Sequence, residues 1–125
     1  MSEMQHATIE SGTTGDRQWI EVASGSCAVT VTVYYGEQPP RVLVDERCPG
    51  HESADELGPD GWVGLGFGGD GAVPTEAREV LDRLRRAALE AASVRWRVVR
   101  RRLSAARETA LRMYRESVES CEVAS

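Results

Sequence analysis

The sequence predicts an α+β protein: an antiparallel β-meander of three or four strands followed by a long C-terminal helix or helix pair. Three observations carry that expectation. Cys27, Val29, Val31, Val33 and Tyr35 alternate with Ala28, Thr30, Thr32 and Tyr34, the period-two pattern of a strand with one buried face. Gly- and Pro-containing turns, Ser24-Gly25-Ser26 and Gly36-Glu37-Gln38-Pro39-Pro40, sit on either side of it at hairpin spacing. Residues 75–120 contain no Gly, Pro or Asn and are dense in Ala, Leu, Glu and Arg, the residues that lose least on entering a helix. No strand–helix–strand crossover can be placed, which argues against a doubly wound sheet.

Taken in order, residues 1–16 are polar, include Ser11-Gly12-Thr13-Thr14-Gly15, and read as a mobile segment or at most a fringe strand. The β-sheet region spans 17–74. Trp19-Ile20-Glu21-Val22-Ala23 is the first strand, 27–35 the second, and Arg41-Val42-Leu43-Val44-Asp45 the third. Residues 47–61 are rich in Gly, Pro and acids and read as a loop. Trp62-Val63-Gly64-Leu65-Gly66-Phe67 forms the optional fourth strand, weakened by its glycines. The clean in-out alternation calls for a sheet covered on one side. Residues 121–125 form a tail, and the whole makes one folded domain.

The helical stretch carries an apolar stripe through Leu81, Leu84, Ala88, Ala92, Trp96, Val99, Leu103, Ala106, Ala110 and Met113, at steps of three and four. Two steps of four follow each other between Ala88 and Trp96. That is a stutter in one long helix, or the trace of a break at Ala92-Ser93 with Ser93 capping a second helix. Unbroken, the helix is on the order of 65 Å long, against a domain roughly 25–30 Å across. It therefore folds back or overhangs. Leu81, Leu84, Trp96, Val99, Leu103 and Met113 are the candidate seam, toward the sheet or toward a second copy in a homodimer.

All fifteen basic residues are Arg, and the net charge of −5 is unevenly spread. Residues 1–74 hold three Arg against twelve acids, −9; residues 75–116 hold twelve Arg against six acids, +6. Arg95, Arg100, Arg102 and Arg107 flank the seam, so a parallel pair would set Arg against Arg. These flanks call for carboxylates, with Glu21, Asp45 and Glu46 as suppliers, or for the phosphates of nucleic acid. The acidic remainder favours the carboxylates.

Chemistry-bearing motifs are sparse. Gly64-Leu65-Gly66-Phe67-Gly68-Gly69 has the G-x-G-x-x-G spacing of a phosphate cradle, with Gly64, Gly66 and Gly69 as its glycines. No parallel strand follows the helix to complete a nucleotide-binding unit. Cys48-Pro49-Gly50-His51 supplies two zinc-type ligands where a structural site needs four, so no metal and no cofactor is expected. His6 and His51 have no nucleophile placed to form a dyad, so no catalytic residue is assigned. With no apolar run at the start, the three Cys read as free thiols of a cytoplasmic protein without a membrane span. The expected function is non-enzymatic: a small regulatory protein of inhibitor or adaptor type, homodimeric and engaging another protein. The alternatives are a nucleic-acid-binding regulator using the Arg-rich helix and a small-anion or nucleotide binder using the glycine loop.

Overall fold

A computed structural model describes residues 7–69 and 73–124. It shows an antiparallel sheet of six strands in sequential order, β1 (Thr8–Thr14), β2 (Arg17–Ser24), β3 (Cys27–Tyr34), β4 (Arg41–Cys48), β5 (His51–Gly58) and β6 (Gly61–Gly69), followed by α1 (Thr75–Arg95) and α2 (Arg97–Ala124). The α+β class and the antiparallel meander stand. The strand count of three or four is too low, because the polar segment before Arg17 and the presumed loop at 47–61 both contain strands.

The reason is local. β1 is exposed along nearly its whole length, so it carries no apolar alternation to read. Its hairpin is closed by Gly15, whose φ of +61° is open to glycine and costly to other residues. In β5 the residues facing the helices are His51, Ser53, Asp55 and Leu57. Three of these four are polar, and Ser53 and Asp55 find their partners only in the folded chain.

The core lies between one face of the sheet and the helices. Ile20 and Val22 of β2, Val29, Val31 and Val33 of β3, Val42 and Val44 of β4 and Leu57 of β5 meet Leu81, Leu84, Ala88, Ala92 and Val99. Each buried Val or Leu contributes about 1.5–3 kcal/mol. Ala88 and Ala92 let the α1 backbone lie close to the sheet, which is why small residues occupy the middle of the stripe. α1 packs on β2, β3 and β4, and α2 on β5 and β6.

The helix is two helices. Trp96 separates them in an extended conformation (φ −122°, ψ 119°) and donates its backbone N–H to Ala92 O at 2.7 Å. Its indole Nε1–H donates to Gln18 Oε1 at 2.6 Å. A single straight helix cannot follow a twisted six-stranded sheet, and one extended residue re-aims the chain toward β5 and β6. The break falls three residues after Ser93. That serine is not a cap: its hydroxyl donates back to Glu90 O at 2.9 Å, within α1.

Cys27 and Cys48 form a disulfide between the neighbouring strands β3 and β4, with their Cα atoms 4.4 Å apart. This corrects the expectation of free thiols. Both residues lie at strand ends on the core-facing side, a pairing visible only once the register is known. Cys121 alone is free, and it is exposed. Among the described residues no helix is long and apolar enough to cross a membrane.

Candidate functional site

The face of the sheet away from the helices holds an open groove, about 710 Å³ in volume. Its floor follows from strand register. Glu21, Thr30, Asp45, Ala54 and Gly66 stand side by side across β2 to β6, in one row perpendicular to the strands. Small residues at Ala54 and Gly66 hollow the β5–β6 end. Tyr34, Arg17, Arg47 and Glu52 form the walls.

The glycine motif finds its role here. Gly64, Gly66 and Gly69 are residues of β6 paired with β5, so they do not form a loop cradling a phosphate before the helix. The register shifts between Ala54 and Asp55, where Asp55 opposes Gly64 and Ala54 opposes Gly66. Leu65 is the extra residue of this bulge. It stands exposed and lines the groove. Gly66 takes φ +132° at the bulge, which a side chain would oppose.

The groove carries three carboxylates, Glu21, Asp45 and Glu52, beside the guanidinium groups of Arg17 and Arg47. Thr30 Oγ1 donates to Glu21 Oε2 at 3.2 Å, and Arg47 Nη2 lies 3.6 Å from the same oxygen. Asp45 and Glu52 make no ion pair among the described residues. Partial burial in the groove raises the Asp45 carboxyl above its ordinary range, with neighbouring Asp55 and Glu52 adding to the effect and Arg47 opposing it. On the same face Glu56 is held below its ordinary range by a double hydrogen bond from Arg41, at 3.3 and 3.0 Å.

Behind the groove, on the helix side of β4, Glu46 anchors the sheet to α1. Arg78 Nη2 donates to both its oxygens, at 3.0 and 2.9 Å; Arg85 Nη1 donates at 3.0 Å and Ser53 Oγ at 3.3 Å. Arg85 also bridges to Asp55 at 2.9 Å, and its guanidinium lies 4.6 Å from the centre of the Trp62 ring. Burial opposes ionisation of Glu46, but the two arginines together outweigh it and hold the carboxyl below the ordinary range. This network sets β4 and β5 in the register that lines up the groove floor.

The residues singled out in the sequence divide as follows. Leu81, Leu84, Trp96 and Val99 of the candidate seam are buried against this chain's own sheet. Leu103 is partly buried at the same core, and Met113 is exposed beyond it. Arg95, Arg100 and Arg107 are exposed. Arg102 is buried and donates to Leu57 O at 3.3 Å. The arginine–carboxylate contacts between helix and sheet do exist and do use Glu46, but the arginines are Arg78 and Arg85, near the start of α1. Glu21 and Asp45 point the other way, into the groove. The sequence marked Thr30, Thr32 and Tyr34 as a wetter strand face, which was the available signal for this surface. Cys48 is committed to the disulfide, and both ring nitrogens of His51 are buried without a hydrogen-bond partner among the described residues.

No protein-family model, curated protein or solved structure matches this chain.

Proposed function

We propose that the chain is a non-enzymatic binding protein of inhibitor or adaptor type, which receives a basic surface of another protein in the groove on its helix-free face. The observation that carries this reading is the groove itself: an open, sheet-floored hollow with Glu21, Asp45 and Glu52 along it, two of them without an ion pair among the described residues. An Arg or Lys entering it meets carboxylates on the floor and the apolar Leu65 at the rim, while the Tyr34 ring is already covered by Arg17. The hydroxyl of Thr30 is held by a carboxylate and faces no basic nitrogen, and neither histidine nor cysteine lines the hollow. That chemistry suits binding better than bond-making.

The test uses a fluorescent nona-arginine peptide as probe. Binding is expected to weaken with salt and to fall at least tenfold in the triple variant Glu21→Gln/Asp45→Asn/Glu52→Gln. The control Asp60→Asn/Glu90→Gln, which alters acids outside the groove, should bind like the parent. Equal loss in both variants, or no loss in either, overturns the reading.

A second reading has its own observation. Arg95, Arg97, Arg100, Arg101 and Arg107 remain exposed around the α1–α2 junction. Nucleic-acid binding through them is read by polarisation of labelled duplex and single-stranded oligonucleotides. Sub-micromolar, steeply salt-dependent binding lost in Arg97→Gln/Arg101→Gln selects it. As to location, the Cys27–Cys48 disulfide fits an oxidising compartment better than the cytoplasm expected from sequence.

A further inference from the structure

The sheet has two edges, and the chain guards only one of them. β6 is interrupted by the bulge at Leu65 and packs against α2. β1, at the other edge, has neither protection. It runs for seven residues in unbroken register with β2, holds no Pro, Lys or Arg, and is exposed along nearly its whole length. Among the described residues no strand pairs with its outer side. Such an edge is a template for another strand.

The hairpin decides which groups lie on that outer side. Gly15, with φ +61°, and Asp16 form a two-residue turn, and the residues flanking such a turn, Thr14 and Arg17, exchange main-chain hydrogen bonds. The exchange recurs at every second pair, so Thr8, Glu10, Gly12 and Thr14 bond inward to β2. The far side of β2 shows the same phase: Tyr35 N–H donates to Asp16 O at 2.7 Å, so even-numbered residues there turn to β3 and odd-numbered ones to β1. Ile9, Ser11 and Thr13 therefore hold their N–H and C=O groups on the open edge.

These three residues specify what fits. A second β1, laid antiparallel about a two-fold axis at Ser11, pairs Ser11 with its own copy and Ile9 with Thr13 in both directions. Each of the three pairs exchanges two bonds, so every outward N–H of both strands finds a carbonyl. Sliding one strand by two residues loses one of the pairs, and sliding it by one loses them all. The side chains agree with this register. Glu10, the one charged residue of β1, stands opposite Gly12 of the other copy, so no like charges face each other directly. A copy of β1 meets all these requirements by symmetry alone.

The geometry points to a homodimer in which two β1 strands pair antiparallel about Ser11 and continue the sheet from one chain into the next. The axis stands perpendicular to the sheet, so both sets of helices lie on one side and both grooves on the other. On the helix side the joint runs beside the trough between β1 and α1, where Ile9 is 66% and Val94 78% exposed in the single chain. No β1 residue lines the groove, so this proposal and the previous one can fail independently. The joint also differs from a seam through Leu81, Leu84, Trp96 and Val99, which this chain buries for itself.

Light scattering after gel filtration, over a dilution series from about 2 to 200 μM, reads the association. The mass is expected to climb from that of one chain to that of two. Ser11→Pro removes the central outward N–H, which bonds to no strand in the single chain. It should hold the protein monomeric at every concentration with an unchanged far-UV circular dichroism spectrum. Ser11→Lys sets two ammonium groups against each other at the axis and should weaken the dimer at least tenfold; if Ser11→Pro disturbs the fold, this variant decides alone. In a Cys121→Ser background, Ser11→Cys should cross-link two chains on mild oxidation, because Cα atoms of such a pair lie about 5.5 Å apart, within disulfide reach. Thr8→Cys in the same background, six residues from its own copy's level, should not. A chain still monomeric at about 200 μM overturns the inference. So does a dimer indifferent to Ser11→Lys, or one that cross-links through Thr8→Cys as readily as through Ser11→Cys.

Discussion

Glu46 and Asp45 are neighbours on one strand, and the pleat sends their carboxylates to opposite faces of the sheet with opposite consequences. Glu46 is 3% exposed and fully engaged by Arg78, Arg85 and Ser53. Glu46→Gln is expected to cost about 3 kcal/mol, because it leaves two arginines facing a neutral amide in a part-buried site. Urea unfolding measures it, and a loss under 1 kcal/mol means that Asp55 and Asp82 re-satisfy the arginines. Asp45 behaves the other way. Its raised carboxyl shows that the folded protein disfavours its charge. Asp45→Asn should therefore leave stability unchanged or increase it while weakening capture of a cationic probe. A residue that costs stability and aids binding is the mark of a site; a variant that is both less stable and equally good at binding contradicts that assignment for Asp45.

At the scale of elements, what was legible and what was not follows from where each element hides its polar groups. β2, β3 and the first half of β4 put Ile or Val at their central sites facing the helices (Ile20, Val22, Val29, Val31, Val33, Val42 and Val44), so their alternation shows in the sequence. β5 faces the helices with Ser53 and Asp55, and what makes that tolerable is Arg85, contributed by α1, and Glu46, contributed by β4. No local pattern can reveal such an arrangement. The groove was half legible: the Thr-rich outer face of β3 was readable, but alignment of Glu21, Thr30 and Asp45 in one row depends on register. The helix break is one of the two readings the sequence allows, and the sequence places it three residues early, because Ser93 has the chemistry of a cap while the extended residue is Trp96. Trp96 now joins α1, α2 and β2. Trp96→Ala should cost about 3–5 kcal/mol, mostly through the cavity, whereas Trp96→Phe removes chiefly the hydrogen bond to Gln18, about 1 kcal/mol. Equal losses would mean that the hydrogen bond, not the packing, holds the junction. The Cys27–Cys48 cross-link ties β3 to β4 over a sequence separation of 21. Cys27→Ser/Cys48→Ser is expected to lose about 3 kcal/mol, the loop-entropy figure for that span, measured by thermal melting with and without reductant. The parent should show the same drop on reduction and the double variant none.

Taken as a whole molecule, the chain ties its sheet to an arginine-rich helical side by ion pairs of Arg78 and Arg85 with Glu46 and Asp55, and closes a further pair, Arg41–Glu56, within the sheet on the groove face. That arrangement dictates how the fold responds to acid. Glu46 and Glu56 both titrate below their ordinary value of 4.5 because arginines hold their charged forms. Their contribution is fully present above that value and disappears as pH falls through their lowered folded values. Asp45 has the opposite sign: its folded value lies above the ordinary 3.8, so its protonation on mild acidification favours the folded state. From these groups the stability curve should rise slightly as pH drops from neutrality through the Asp45 titration, then fall steeply below about 4.5. Chemical denaturation at half-unit intervals between pH 3 and 7 traces the curve. In Asp45→Asn the mild rise should vanish while the acid fall remains. In Glu46→Gln the acid fall should become shallower, because the variant has already lost the pairing that protonation would remove. A parent whose acid limb keeps its slope after Glu46→Gln would place the pH-sensitive contact elsewhere than the boundary between β4 and α1, and the Arg41–Glu56 pair would be the next to examine.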